Sequence, residues 1–363
     1  MSSASHFVDH PQFSEFQTDG RLKCTLCPRD CHLKDGQRGL CFVRQRQGEA
    51  ILLTSYGRSS GFVIDPIEKK PLSHFLPGSS VLSFGTVGCN LSCKFCQNWD
   101  MSKSQAMDIL QSPAMPTDIA QAALAHGCAS VAFTYNDPVI FYEYAVDTAK
   151  ACRQAGIKTV VVSAGYIQAE ARAGFFRYMD AVNLDLKGFS QSFYRDLCTG
   201  SLQPVLDTLS YLIHETEIWT EITTLLIPGE NDSEEELQAM TAWVASELGT
   251  HIPLHFSAFH PDYKMMKHPA TPHDTLLKAK AIAKSNGLNY SYIGNVHDPS
   301  NASTYCSGCG ALLIGRDSYQ ISDWNLDQQA ACITCGLKLP GKFDTNPGSW
   351  GNKYQRIQIN KAP

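Results

Sequence analysis

The sequence predicts an α/β protein: a full or partial (β/α) barrel flanked by two small cysteine-rich modules. From residue 80 to about 295, short apolar runs alternate with amphipathic stretches, and strands that alternate with helices form a parallel sheet through crossover connections. Of the fourteen cysteines, all but three fall into groups with metal-ligand spacings before, at the start of and after this segment. We therefore expect a small N-terminal four-cysteine module and a C-terminal zinc-ribbon-like module.

The chain divides into three predicted regions. Residues 1–79 form the N-terminal cysteine-rich metal module and a strap, residues 80–299 the barrel, and residues 300–363 the zinc-ribbon-like module. Barrel strands are predicted at 81–84, 130–134, 159–163, 181–186, 219–227, 254–259 and 290–294. Helices are predicted between them, for example at 116–125, 139–155 and 234–248, and a further short strand at 49–53.

Composition and charge exclude several classes of protein. The 363 residues are 43% hydrophobic and 18% charged with a net charge of −5, which is ordinary globular material with no sign of a polyanionic partner. The first ten residues lack the basic and apolar segments of a signal peptide, and no apolar run is long enough to cross a membrane. A reducing cytoplasm is the expected compartment, because it preserves thiolates for metal binding.

The N-terminal region begins with four cysteines, Cys24, Cys27, Cys31 and Cys41. Four thiolates close a tetrahedral zinc site, so zinc is the simpler interpretation. The C-x2-C-x3-C spacing also resembles ferredoxin-type ligation, which makes a second iron–sulfur cluster the competing interpretation. Disulfides are disfavoured in a reducing compartment, and the sequence leaves the choice between zinc and iron open.

The segment 61–78 follows this module and connects it to the barrel. Its three prolines exclude a continuous helix. Lys69, Lys70 and His74 have two interpretations: a solvated connecting loop, or a strap across the mouth of the barrel that contributes polar contacts to a substrate.

The loop after the first barrel strand carries Cys89, Cys93 and Cys96 within eight residues. A 4Fe–4S cluster held by three thiolates keeps one iron with an open coordination position, as catalytic metal sites do. The alternatives are three buried cysteines or half of a zinc site. A glycine-flanked polar loop makes a poor core, and no fourth ligand lies at finger-like spacing, so the iron–sulfur interpretation is favoured.

Beyond the first strand, which the cysteine loop follows, polar residues lie on or directly after each predicted strand, near the carboxyl ends where the chemistry of (β/α) barrels takes place. They lie at 135–138, 163–166, 183–187, 221–224, 227–232, 255–260 and 294–298. Each group alone has a structural interpretation, such as an Asn-Asp-Pro turn or a charge pair that only supports the barrel. Together they predict one large polar pocket that faces the three-cysteine loop.

The three-cysteine loop, with an aromatic residue just before its last cysteine, resembles the signature of the radical S-adenosylmethionine (SAM) enzymes. In that family the open iron chelates the amino and carboxylate groups of SAM, and one electron splits SAM into methionine and a 5′-deoxyadenosyl radical. The barrel segment resembles the pyruvate formate-lyase activating enzymes. The four-cysteine start, the strap from 65 to 77, the barrel motifs and the cysteine-rich tail together resemble the radical SAM component of the AmmeMemoRadiSam system.

This resemblance implies roles for individual residues. The cysteines of the loop would hold the cluster, and Phe95 would shield it. Asn136 and Asp137 stand where the family has a Gly-Gly-Glu-Pro-like motif that meets the SAM ammonium, although Asp is one methylene shorter than Glu. Asp185 and Lys187 match the Asp-x-Lys pattern of the activating enzymes and are the predicted catalytic pair. Further contacts to SAM are expected from Ser163, Gly165, Asn183, Asp185, Thr223 and His260.

The C-terminal region contains two C-x2-C-G knuckles, Cys306/Cys309 and Cys332/Cys335. They predict a zinc ribbon, with rubredoxin-like iron as the alternative. Residues 301–363 hold six Lys or Arg and four Asp or Glu, so no nucleic-acid partner is expected. Capping the barrel or docking a partner is the expected role.

The function that follows is a radical SAM enzyme that abstracts hydrogen from a protein or peptide substrate. The expected partners are that substrate, an electron donor such as flavodoxin or ferredoxin, and proteins of the AmmeMemoRadiSam system; no membrane is involved. The alternatives are a non-catalytic iron–sulfur and zinc scaffold that senses redox state, and a radical SAM methyltransferase. Cys128 and Cys152 are expected in the core, as is Cys198, for which a reactive thiol is the alternative.

Overall fold

A computed structural model describes residues 13–107, 110 and 112–359, so parts of the first and last predicted regions, 1–12 and 360–363, lie outside the described residues. The strands, in chain order, are β1 (Ser14–Phe16), β2 (Leu22–Cys24), β3 (His32–Leu33), β4 (Arg44–Gln47), β5 (Ala50–Leu53), β6 (Arg58–Ser59), β7 (Phe62–Pro66), β8 (Ser80–Phe84), β9 (Ser112–Pro113), β10 (Ser130–Phe133), β11 (Lys158–Ser163), β12 (Ala181–Asp185), β13 (Trp219–Leu226), β14 (Leu254–Ala258), β15 (Ser291–Gly294), β16 (Thr304–Tyr305), β17 (Leu312–Asp317), β18 (Gln320–Trp324) and β19 (Gln355–Ile357). The helices are α1 (Trp99–Ser102), α2 (Pro116–Ala125), α3 (Tyr142–Gln154), α4 (Ala169–Phe176), α5 (Gln191–Phe193), α6 (Gln203–His214), α7 (Glu234–Trp243), α8 (His273–Ser285) and α9 (Pro299–Ala302).

Seven parallel strands form the centre of the molecule, in the order β8, β10, β11, β12, β13, β14 and β15. Each pairs in parallel with the next, and helices connect consecutive strands, as the alternating pattern predicts. Every residue of β8, β10 and β14 is buried, because helices cover one face and the other lines the interior. Among the described residues no ladder joins β15 to β8, so these strands form an open sheet. We call the seven parallel strands and their helices the barrel, after the predicted region that they occupy.

The predicted element bounds agree closely with the structure where the hydrophobic pattern is strong. The predicted helix 116–125 is α2 itself. The helix predicted at 139–155 is divided: a 3-10 turn, Pro138–Phe141, precedes α3. The carboxylate of Asp137 accepts a hydrogen bond from Val139 N at 3.0 Å and so starts this turn separately from the helix. The end of the helix predicted at 234–248 is a π-helical turn, Val244–Leu248.

The N-terminal module packs directly on the barrel. It consists of the antiparallel sheet β1–β3 and the hairpin β4–β5, and its apolar side chains join the core of the barrel. Arg44 of β4, only 2% exposed, forms an ion pair with Glu143 of α3, with 2.8 Å between Nη1 and Oε1. Removing one partner of such a buried pair costs about 3–5 kcal/mol, so this contact ties the module to the barrel.

The strap and the C-terminal tail extend the barrel sheet at its β8 edge. β7 pairs antiparallel with β8, and β19 of the tail pairs antiparallel with β7. The backbones of Gly78 and Gly348 touch: a Cβ on Gly78 would lie 2.3 Å from the carbonyl oxygen of Gly348. Gly348 N also donates to Pro77 O at 2.9 Å. The tail therefore holds the strap against the barrel.

In the described part of the chain, no helix combines the length and the apolar character that crossing a bilayer requires.

Candidate active site

The carboxyl ends of the parallel strands surround a cavity of about 380 Å3. The three loop cysteines open onto it, together with most of the residues predicted to bind SAM. The predicted residues in its wall are Cys89, Cys93, Phe95, Cys96, Asn136, Asp137, Ser163, Asp185, Lys187 and Thr223. Gly165, Asn183 and His260 are not in its wall; Asn183 is fully buried and His260 is exposed.

The start of the cysteine loop is held by the side-chain amide of Asn136. Its Oδ1 accepts a hydrogen bond from Thr86 N at 3.0 Å, and its Nδ2 donates to Gly88 O at 2.9 Å and to Thr86 Oγ1 at 3.2 Å. A Cβ on Gly85 would lie 2.6 Å from Asn136 Oδ1, so only glycine permits this approach. Asn136 therefore positions the loop, and its contact with SAM stays a prediction.

The three loop thiols form a donor set that suits an iron–sulfur cluster. Cys93 is buried and Cys89 and Cys96 are half-buried, and burial raises the pKa of Cys89 to about 11. A hydrogen bond from Cys198 lowers the pKa of Cys93. The Sγ of Cys96 lies 3.0 Å from the hydroxyl oxygen of Ser102. Three thiols that line one polar cavity form a donor set that would hold three irons of a 4Fe–4S cluster.

Asp137 joins the ends of two neighbouring strands. Besides Val139 N, its carboxylate accepts hydrogen bonds from Ser163 Oγ at 3.0 Å and Ala164 N at 3.1 Å. Burial raises the pKa of Asp137 to about 6. Gly165 completes the turn with φ of 64° and donates to Ser163 Oγ at 3.0 Å. Asp137 lies in the cavity wall. Gly165 does not, and its hydrogen bond to Ser163 holds the turn next to Asp137.

Asp185 and Lys187 form an ion pair at the end of β12, with 2.8 Å between Nζ and Oδ2. Although burial opposes its charge, the attraction of Asp185 raises the pKa of Lys187 well above its usual value. Both side chains line the cavity, whereas Asn183, expected on the same face of the strand, is not in its wall. Their catalytic role stays a prediction.

Asn183 lies behind this pair and connects the strap to the barrel. Its Nδ2 donates to Pro71 O at 2.7 Å and to Thr223 Oγ1 at 2.9 Å. Asn183 therefore places Pro71 at the mouth of the cavity. Of the two hydrogen-bonded side chains Asn183 and Thr223, only Thr223 lies in the cavity wall.

The strap contributes two side chains to the cavity wall, while contacts to a substrate stay a prediction. Lys69 and Lys70 line it, and both bind the buried Asp65, with Nζ–Oδ distances of 3.1 and 2.8 Å. The hydroxyl of Tyr135 donates to Asp65 Oδ2 at 2.9 Å. Tyr135 has a φ of 73°, which is rare for a residue with a side chain and turns the ring toward the strap.

Sequence reasoning missed several residues of the cavity wall. Ser102 and Lys103 follow the cysteine loop, and the Nζ of Lys103 donates to Leu91 O at 2.7 Å. A positive charge near three thiolates was the available signal for Lys103. Tyr319 comes from the C-terminal tail, and no local pattern connects it to the barrel.

A second cavity, of about 330 Å3, adjoins the first. The two share Lys69, Pro71, Ser257, Asn295 and Tyr319 in their walls. The second is bounded by the strap, the last strands of the barrel and the tail. Charged side chains of both signs line it, among them Lys69, Asp298 and Arg316.

The tail cysteines form a compact group. The sulfurs of Cys306 and Cys335 lie 3.5 Å apart, and those of Cys309 and Cys332 lie 3.7 Å apart. Each knuckle closes with a hydrogen bond from a glycine N–H to the carbonyl of its first cysteine, at 2.9 and 2.8 Å. The four ligand atoms all lie within 4.8 Å of one another, so the group can hold a metal ion. Zinc remains the predicted ion.

The N-terminal cysteines share a separate cavity. All four line it, together with Arg29, Arg44 and Asn90. This cavity and the first one have no wall residue in common.

Comparison with known proteins shows which sequences and structures this chain is similar to. The sequence model of the Radical SAM superfamily matches residues 84–240. The uncharacterized protein MJ0808 of Methanocaldococcus jannaschii is 39% identical over 328 residues, which are 90% of this chain and 97% of that protein. The pyruvate formate-lyase-activating enzyme of Listeria monocytogenes is 25% identical over 172 residues, 43% of this chain and 66% of the enzyme. A solved domain of the pyruvate-formate lyase-activating enzyme of Bacteroides vulgatus is 21% identical, with a TM-score of 0.41, and the match covers 46% of this chain and 99% of that domain.

Proposed function

We propose that this chain, whose residues 84–240 match the sequence model of the Radical SAM superfamily, is a radical SAM enzyme that abstracts a hydrogen atom from a protein or peptide substrate. The narrower resemblance, to the AmmeMemoRadiSam component, stays a prediction. The observation that carries the proposal is the shared cavity: the three loop thiols and the polar strand ends open onto the same space. Cys89, Cys93 and Cys96 would hold a 4Fe–4S cluster there, and this cluster, reduced by a donor such as flavodoxin or ferredoxin, would supply the one-electron chemistry with SAM that hydrogen abstraction requires.

The side chains of the cavity suit a zwitterionic, positively charged ligand such as SAM. Asp137 and Asp185 provide negative charge for an ammonium or a sulfonium, and Lys103 and Lys187 provide positive charge for a carboxylate. The ion pair with Lys187 orients the carboxylate of Asp185. These residues position the ligand and complement its charges, while the radical chemistry comes from the cofactors.

The adjoining second cavity is the space we assign to the substrate. It meets the first beside Ser257 and Asn295, at the carboxyl ends of β14 and β15. The strap and the tail form its other walls. A space of this size, with charges of both signs, accommodates a polar side chain or a short segment of peptide, so the hydrogen donor would reach the SAM cavity from this side.

The test is SAM cleavage by the full chain. Protein reconstituted anaerobically with iron and sulfide is given SAM and dithionite, and 5′-deoxyadenosine and methionine are measured by chromatography. We expect one methionine for each 5′-deoxyadenosine, loss of both products in Cys96→Ala, and retention of both in Cys128→Ala, which removes a buried cysteine far from the cavity.

Two outcomes contradict the proposal. Protein with an intact loop cluster that releases no 5′-deoxyadenosine is the redox-sensing scaffold instead. Release of S-adenosylhomocysteine with a methylated product identifies a radical SAM methyltransferase.

A further inference from the structure

The four N-terminal cysteines lie outside the SAM cavity and form a second candidate metal site. Cys24 ends β2, Cys27 and Cys31 lie in the connection to β3, and Cys41 lies just before β4. Cys24 N donates to Cys31 O at 2.9 Å, which brings the two ends of the connection together. All four residues line one cavity, so the backbone gathers these side chains around a common space.

The spacing of the sulfurs separates the two candidate metals. Four thiolates around one zinc ion, at a Zn–S distance of about 2.3 Å, lie about 3.8 Å apart. The tail cysteines meet this spacing, with sulfur pairs at 3.5 and 3.7 Å. Within the described ranges of the chain, the tail group is the one set of three or more metal-ligating side chains whose ligand atoms all lie within 4.8 Å of one another. The N-terminal sulfurs are therefore spread more widely than a zinc site requires.

The cysteine loop of the barrel provides an internal comparison. Cys89, Cys93 and Cys96 carry the radical SAM spacing, and their sulfurs also do not gather within 4.8 Å. This is expected, because each thiolate binds a different iron of a cube rather than sharing one ion. The same chain thus shows both arrangements, and the N-terminal cysteines share the wider one with the loop.

We propose that Cys24, Cys27, Cys31 and Cys41 hold a second 4Fe–4S cluster. Its four thiolates would complete the coordination of all four irons, so this cluster has no open position for SAM. The proposal concerns the metal content of the N-terminal module and does not depend on SAM cleavage.

Two arginines, Arg29 and Arg44, lie in the wall of the N-terminal cavity. Arg44 is buried and oriented by Glu143 and by Ile140 O, which accepts a hydrogen bond from Nε at 3.1 Å. Arg29 donates to neutral oxygens, to Asn90 O at 2.6 Å and to Thr199 Oγ1 at 2.7 Å, so its positive charge remains available to the cavity. Arg29 would therefore attract an anionic cluster, whereas the charge of Arg44 is largely offset by its ion pair with Glu143.

The second site lies directly against the loop that holds the first. Gly88, next to Cys89, has a φ of 84°, and a Cβ there would lie 2.0 Å from the carbonyl oxygen of Cys41. Asn90 lines the N-terminal cavity, whereas Cys89 and Leu91 on either side of it line the SAM cavity. A few residues of one loop therefore separate the two sites, and the second cluster would lie on the face of the loop opposite SAM.

Metal analysis of the anaerobically reconstituted full chain tests the proposal. We expect about eight irons, about eight sulfides and one zinc per chain, since each 4Fe–4S cluster supplies four of each. The variant Cys89→Ala/Cys93→Ala/Cys96→Ala is expected to keep about four irons and four sulfides per chain, with the broad visible absorption and Mössbauer spectrum of a 4Fe–4S cluster.

The reciprocal variant, Cys27→Ala/Cys31→Ala, is expected to lose about half of the iron and to keep its zinc. Its matched control is Cys128→Ala/Cys152→Ala, which also removes two cysteines and should keep all of the iron. The proposal is overturned if wild-type protein contains about four irons and two zincs per chain, or if the triple variant contains no iron or only a two-iron cluster. The wild-type count decides the matter even if a variant fails to fold, and failure of SAM cleavage alone would leave the expected iron count unchanged.

Discussion

Asn136 offers the sharpest test of how the fold supports the cluster loop. Its amide makes three hydrogen bonds to residues 86 and 88, just before the first loop cysteine. In Asn136→Ala, Thr86 N and Gly88 O lose this partner while remaining buried. The loop would then be ordered by its cysteines and their metal rather than by the barrel.

The magnitude follows from the groups left without their partner. A buried backbone donor or acceptor that loses its hydrogen bond costs about 1–3 kcal/mol, so the two groups together cost at least about 2 kcal/mol. Since 1.4 kcal/mol is tenfold in an equilibrium constant, the open form of the loop becomes roughly thirtyfold more populated. If the cluster is lost from the open form, its loss accelerates by the same factor.

Chelation kinetics measure this effect. Reconstituted protein is mixed with an iron chelator under anaerobic conditions, and the loop cluster is followed by the part of its reduced EPR signal that changes when SAM is added. Asn183→Ala is the matched control, because Asn183 is also a buried strand-end amide but bonds to Pro71 and Thr223 rather than to the loop. Equal rates of cluster loss in both variants, or a wild-type rate in Asn136→Ala, would refute the reasoning.

Three further predictions concern the cavity and the tail. Lys187→Met leaves Asp185 without its ion-pair partner and should lower 5′-deoxyadenosine formation at least tenfold with unchanged iron content. Lys187→Arg, which keeps the positive charge, should recover part of this activity. Unchanged 5′-deoxyadenosine formation in Lys187→Met would contradict a catalytic role of the lysine. Because burial raises the pKa of Asp137 to about 6, its ionisation destabilises the fold as the pH rises through 6 but supplies negative charge to the cavity. SAM binding measured by calorimetry should therefore tighten between pH 5.5 and 7.5, and a similar pH dependence in Asp137→Asn would exclude this cause. Cys309→Ala should release the tail metal and lower the melting temperature with the EPR signal of the loop cluster intact; unchanged metal content and melting would contradict a structural metal.

The strands and several helices were predictable because their hydrophobic periodicity is local. The predicted strand at 130–134 and helix at 116–125 agree with β10 and α2 to within one residue. The division of the predicted helix 139–155 was missed, because the capping carboxylate of Asp137 competes with the apolar pattern. β19 was also missed, since a three-residue strand forms only against β7, almost three hundred residues earlier.

The candidate site was likewise predictable from the sequence only where its signals are local. Close cysteine spacings are local, so the sequence alone indicated the loop cluster and the tail metal group. The direction of a side chain at a strand end depends on partners far away in the chain, and there the tertiary structure was decisive. It turned Asn136 toward the cluster loop, placed Asn183 behind the cavity, and left His260 outside the cavity wall. It also gathered the four N-terminal cysteines around one cavity beside the barrel, because the backbone between them folds through β3 and against the barrel core, which their spacing in sequence does not show.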